Sequence, residues 1–242
     1  MVVTSRRHVL QIAGASITGA VLSPFVVTCQ QKVRETPVGA FPYYNGYFFK
    51  GSEYLRYDVT SDRADAGYPK PIAAGWPGLW EGGIDAAMLW PNGKAYFFKG
   101  SQYVRFDPVQ NSIDEGYPKP ITSGWPGVWE NGIDSVILWP DAKAYFYKGS
   151  EYLRYDLTSD RADAGYPKPI AAGWPGLWEN GINASVLWTG GKTYFFQGDQ
   201  YIRYDVSDRK VDSGYPKPIA SSWPGLWESG IDTGVLWTQG KP

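Results

Sequence analysis

The stretch from Tyr47 to Trp237 is one unit written four times at a constant step of 49 residues, with no insertion or deletion. Tyr47, Tyr96, Tyr145 and Tyr194 each open the string Y-F-F/Y-K/Q-G, and Gly67, Gly116, Gly165 and Gly214 each open G-Y-P-K-P-I. Trp76, Trp125, Trp174 and Trp223 each open W-P-G-L/V-W-E. A fixed period of this size marks a repeat architecture. A unit this short cannot bury enough surface to fold alone, so the copies must share their cores. Tyr47 to Ile84 differs from Tyr145 to Ile182 only at Phe49/Tyr147, Val59/Leu157 and Gly82/Asn180. That near identity points to a doubled two-unit block and a twofold likeness within the fourfold one.

Each unit parses into short strands and one helical turn. In the second unit, Ile84 to Trp90 is a mostly apolar run, and Pro91-Asn92-Gly93-Lys94 carries the Asn-Gly pair favoured in tight hairpins. Ala95 to Lys99 is a second strand rich in aromatics, and Gly100-Ser101 makes the next turn. Gln102 to Asp107 alternates as a third strand. A weaker fourth strand is expected from Ile113 to Tyr117, stopped by Pro118-Lys119-Pro120. Ile121 and Trp125 stand four apart, which suits one helical turn.

Four short strands per unit of about fifty residues describe a blade, and the fold class expected is all-β, a four-bladed β-propeller. An open solenoid would need atypical capping repeats, and these four units are equally regular. The first unit lacks the I-D-x-x-x-L-W segment that precedes the others, whereas the chain closes on Ile231-Asp232-Thr233-Gly234-Val235-Leu236-Trp237. The ring is therefore expected to close by a C-terminal strand added to blade one.

The recurring strings A-Y-F-F-K-G-S-x-Y-x-R-F/Y-D, P-K-P-I, W-P-G-L and the I-D start of each next unit resemble the hemopexin repeat. The resemblance covers all four units and implies a hemopexin-type propeller of four blades. It also implies that Asp85, Asp134, Asn183 and Asp232, all of one phase, lie at the mouth of a central channel, where backbone carbonyls and acidic groups surround an ion. Oxygen donors of this kind suit Ca²⁺ or Na⁺. The alternative is that each of these side chains bonds backbone amides of the preceding turn. Many vertebrate members tie their ends by a disulfide, which a chain with a single cysteine cannot form.

The expected organisation is an export signal over residues 1–29, a linker over 30–42 and the propeller over 43–242. Ser5-Arg6-Arg7-His8-Val9-Leu10-Gln11 precedes an apolar run to Thr28 that contains no acid or base. This is signal-peptide logic. The string resembles the bacterial twin-arginine motif, with Val9 and Gln11 as departures. Cys29 follows Val26-Val27-Thr28 as in a lipoprotein box, an expected lipidation site with an unusual Thr before it. The localisation expected is periplasm, cell surface or secreted, with membrane contact only through the leader or a lipid.

Net charge is −1 over the whole chain, and the leader holds two of the 23 Lys and Arg and none of the 24 Asp and Glu. The remainder is mildly acidic, which argues against nucleic acid as a partner. The single histidine, His8, lies in the leader. Ser-His-Asp catalysis, a His-based zinc site and bis-histidine haem ligation are thereby excluded for the repeats, and no catalytic residue is assigned. Arg56, Arg105, Arg154 and Arg203 stand two residues before Asp58, Asp107, Asp156 and Asp205, a spacing that shares a strand face and suggests ion pairs. All twelve Trp lie in the repeats. The W-P-G Trp set reads mainly as inter-blade packing and secondarily as rings for stacking on sugars.

Two functions stay open, and a third, an enzyme with an unseen site, would need a convergent cleft of acids away from the channel. One is a non-catalytic binding module whose ligand is a protein, a matrix polymer such as a polysaccharide, or a small molecule. The other is a multivalent carbohydrate-binding lectin. Buried W-P-G tryptophans would count against the second.

Overall fold

Period-two alternation and Gly-initiated turns every few residues leave the chain one economical path, the antiparallel meander, and each unit follows it. A computed structural model describes residues 45–237. The expected leader, linker and Cys29 lie outside the described residues, as do residues 43, 44 and 238–242.

Blade two shows the plan. The inner strand, Ala86–Leu89, pairs antiparallel with Ala95–Lys99, which pairs antiparallel with Gln102–Asp107. Met88 stands opposite Tyr96, and Phe97 opposite Val104. Both faces of the blade are covered by neighbouring blades, so Tyr103, Val104 and Phe106 are all buried despite their alternation.

The outermost strand departs from the sequence expectation. It is not one strand from Ile113 to Tyr117 but two strands of two residues, Ser112–Ile113 and Lys119–Pro120. These pair with opposite ends of the third strand, Ile113 with Phe106 and Lys119 with Tyr103. Between them Gly116 takes φ 81° and the Tyr117–Pro118 peptide is cis. Proline removes a ladder donor, which only a sheet edge tolerates, and this position is the edge. The P-K-P segment thus belongs to the sheet that it was expected to end.

Blade three uses Ser135–Trp139, Lys143–Lys148 and Glu151–Asp156, and blade four Ala184–Trp188, Lys192–Gln197 and Gln200–Asp205. Blade one is built from both ends of the repeat region. Thr233–Trp237 pairs antiparallel with the first strand, Asn45–Lys50, in the register Phe49 to Thr233 and Asn45 to Trp237. The inner strands of blades one, two, three and four touch in that cyclic order, and that of four touches that of one. The fold is a four-bladed β-propeller closed by the C-terminal strand, as the missing first segment implied.

The expected helical turn is present in each unit, as α-helix at Ile72–Gly75 and Ile170–Gly173 and as 3-10 helix at Ile121–Ser123 and Ile219–Ser221. In each, the amide of the W-P-G Trp donates to the carbonyl of the buried Ile four residues earlier. That bond sets the indole into the wedge between two blades. Trp125 meets Phe98 and Tyr103 of its own blade and Phe146 and Tyr155 of the next, at ring centroids 5.4–5.9 Å apart. Four such apolar clusters, one per blade junction, make the core. Aromatic rings suit a wedge because each fills a large volume with few rotamers and packs edge to face.

Candidate functional site: the two mouths of the central channel

Each inner strand is hydrogen-bonded along one edge only, to the second strand of its blade. The other edge faces the axis, where the four inner strands meet. The channel ends differ because the two ends of these strands differ in sequence.

At the N-terminal ends, Asp85, Asp134, Asn183 and Asp232 border one cavity of about 400 Å³. The structure brings together the four residues that phase had grouped. Their side chains are already engaged. The amide N–H of Gly100, Gly149 and Gly51 donates to Oδ2 of Asp85, Asp134 and Asp232 at 2.7 Å, and that of Gly198 donates to Oδ1 of Asn183 at 2.9 Å. The acceptor's own backbone N–H extends the inner ladder by one bond, as in Asp85 to the Phe98 carbonyl at 2.9 Å. Each side chain therefore pins the start of its inner strand to the hairpin turn of the same blade. Gly51, Gly100, Gly149 and Gly198 sit at φ 51–56°, a region where a side chain is unfavourable. The amide bonding weighed as an alternative is thus present, but to the hairpin between the second and third strands of the same blade rather than to the preceding turn.

Sequence reasoning missed a second ring at this mouth. Lys50, Lys99, Lys148 and Gln197 share one phase, in the K/Q-G of the second-strand string. The Lys148 ammonium donates to Asn131 Oδ1 at 2.5 Å and to the Gly132 carbonyl at 2.8 Å, and Lys148 lines the same cavity. Gln197 makes the corresponding amide bonds to Asn180 and Gly181 at 2.9 and 2.8 Å. Blade four thus replaces both its acid and its base by amides, Asn183 and Gln197, and the two rings balance in formal charge. Among the described residues no group of three or more His, Cys, Asp or Glu is placed to hold a metal ion by side chains alone.

The opposite mouth has another character. A cavity of about 500 Å³ is lined there by Leu89, Leu138, Leu187 and Leu236, one from each blade, and by neighbouring apolar side chains. Its lining includes no charged residue.

The arginine row is corrected by the structure. The Nε–H of Arg105, Arg154 and Arg203 donates to Asp114, Asp163 and Asp212 at 2.5 Å, and Arg56 pairs likewise with Asp65. The partner is nine residues on, not two. The Asp two residues on turns elsewhere. Asp107, Asp156 and Asp205 accept from Lys94, Lys143 and Lys192, whose ammonium groups hold these carboxyls below the usual carboxylate range, assisted by amides of the following turn. In blade one Asn45 stands where the others have Lys, and Asp58 is held low by the amides of Ser61 and Thr60. The signal was available, since Asp65, Asp114, Asp163 and Asp212 recur at one phase.

The W-P-G tryptophans are buried, with Trp76, Trp125, Trp174 and Trp223 no more than 5% exposed. They pack blades together and present no face for a sugar.

A family model described as Hemopexin matches residues 46–81, 84–130, 133–179 and 182–228. The chain belongs to the hemopexin family. Hemopexin-fold relatives include a 2S albumin seed protein from Dolichos, 30% identical over 76% of this chain and 93% of that one, with a TM-score of 0.66. The hemopexin fold protein CP4 from cow pea is 26% identical over 76% and 92%, with a TM-score of 0.65. A plant lectin with two metal binding sites from Cicer arietinum is 24% identical over 76% and 92%, with a TM-score of 0.65, and shares the fold. No curated protein sequence matches the chain.

Proposed function

We propose that this hemopexin-repeat chain is an exported, non-catalytic binding module that takes its ligand on the propeller axis. The polar mouth would carry a hydrated hard cation, Ca²⁺ or Na⁺. The observation that carries this reading is the cavity bordered by Asp85, Asp134, Asn183 and Asp232. A propeller with a cavity at each end of its axis offers concave, solvent-reachable sites of ligand size. The hemopexin-fold relatives, a seed albumin and a plant lectin among them, support a binding module.

The residues fit an ion that keeps its water, and do not fit a closed carboxylate cage. One oxygen of each acid is committed to a glycine amide, so the acids act through charge while water and backbone oxygens would complete the shell. The lysine ring offsets that charge, so binding is expected to be weak.

Thermal melting with millimolar Ca²⁺ against chelator tests the ion. A specific ion raises the melting temperature by mass action. The double variant Asp85→Asn with Asp134→Asn should keep the fold, because Asn183 already makes the same bond, and should lose the response. An unchanged melt in the native protein removes the ion from the reading. A pull-down with the mature protein then asks whether a protein or a polysaccharide is held. Export is tested separately: Arg6→Lys with Arg7→Lys should retain the chain in the cytoplasm, and Cys29→Ser should abolish any lipid labelling.

A further inference from the structure

Half-buried leucines gather at the strand ends that form the apolar mouth. Among the described residues the strongly exposed large apolar side chain is Val109, 80% exposed on an outer turn. The other half-buried apolar groups, Tyr68, Trp80 and Trp129 among them, lie against the inter-blade clusters. Yet Leu89, Leu138 and Leu187 are left only half-buried, and all three line the cavity of about 500 Å³. Met88 adds an unbranched thioether, a side chain that adapts to irregular ligands.

Two polar features sit within this apolar wall. The inner strands carry backbone N–H and C=O groups on the edge that no strand pairs. Deeper in the channel the Ser135 and Ser185 hydroxyls share a hydrogen bond of 2.7 Å across blades three and four, at 1% and 3% exposure, and Ser185 lines the cavity. A hydroxyl pair uses one donor between its two members, so one donor and several lone pairs remain. Blade two has Ala86 and Ala87 at these phases, so the pair is a departure from the repeat. The cavity lies within the usual small-molecule range of about 300–1,000 Å³ and combines an apolar lining with a few convergent polar groups.

We propose that the apolar mouth is a binding site for a small, uncharged, mostly apolar molecule bearing a single hydroxyl or carbonyl group. The uncharged lining rejects ions and charged amphiphiles, since a charge brought here would lose its water without a partner, and its few polar groups leave the many hydroxyls of a sugar unmatched. The four leucines hold the apolar body, and the serine pair or a strand-edge group receives the one polar function. This inference rests on the reading of the chain as a binding module and is independent of the ion at the other mouth.

The test uses the full chain and the uncharged fluorophore N-phenyl-1-naphthylamine, whose emission rises in apolar surroundings, with 1-decanol as competitor. Saturable binding at one site per chain is expected, with displacement by decanol. Leu138→Gln and Leu187→Gln, both at half-buried positions, should weaken the probe by about tenfold or more while the melting curve stays cooperative. Val109→Gln should change nothing. Ser185→Ala should weaken decanol more than the probe. Absence of saturable binding overturns the proposal, as does binding that survives both leucine changes in folded protein. The Ca²⁺ response is read at the opposite mouth, so either result can fail alone.

Discussion

At the scale of single residues, the repeat supplies its own controls. Gly234 holds the phase occupied by Ala87, Val136 and Ser185 in the other blades. A Cβ there would lie 2.7 Å from Phe48 Cδ1 and 2.9 Å from Val186 Cγ2, atoms of the two blades that the closing strand joins. Gly234→Ala is expected to cost about 1–3 kcal/mol by overpacking, checked by denaturant unfolding. Ser185→Ala should cost less, since the same position in blade two is already Ala87. The amide clamps behave in the opposite way. Asp232→Asn keeps the acceptor for the Gly51 N–H and should be nearly silent, whereas Asp232→Ala removes it and should cost about 1 kcal/mol or more.

At the scale of elements, the strands and turns were legible because each rests on local chemistry. Ala95–Lys99 and Gln102–Asp107 match the sequence expectation at both ends, since Gly100 fixes the hairpin between them. The outer strand was not legible. Its pairing depends on where the third strand lies, and two prolines in four residues argue locally against any strand. The arginine partners were missed for a related reason. Spacing along one strand says which side chains share a face, but Asp114 reaches Arg105 only after the chain has turned and its own amide has bonded the Arg105 carbonyl. Of the candidate site, phase revealed the acid ring. It did not reveal the glycine amides that occupy it, because these stand fifteen residues away in blades two to four and at the other end of the repeat region in blade one. The strand-end ion pairs also make a prediction for acid. The carboxyls of Asp107, Asp156 and Asp205 are depressed by Lys94, Lys143 and Lys192. Depression in the folded state means that their contribution is complete above the unfolded value of about 4 and is lost as pH falls through the folded values. Melting temperature should therefore decline below about pH 4, and the triple change of these residues to Asn should flatten the decline. A native protein whose melting is flat from pH 6 to pH 2 would remove these pairs from the account.

At the scale of the whole molecule, closure depends on a strand from the far end of the chain. Trp237 is 2% exposed and packs against Tyr47 and Trp76 at 5.9 and 5.5 Å. Removing residues 230–242 strips blade one of its inner strand and opens the ladder edge of Asn45–Lys50. Loss of cooperative melting is expected, and a truncated protein that melts like the parent would contradict the closure. The contrast between the channel ends is also a property of the whole, since no single blade has a mouth. It arises because the four copies place three acids and one amide at one end of the inner strands and four leucines at the other.

Closure by adjacent ends makes the starting point of the chain arbitrary. Asn45 and Trp237 are direct partners in one ladder, so a short flexible connector could join them without crossing the channel. New ends could then be opened in the exposed segment at Glu130 and Asn131, between two intact blades. Such a circularly permuted chain would begin with a whole blade and end with one. It should fold to the same propeller, and its near-native melting would show that the order of synthesis is not part of the fold's information.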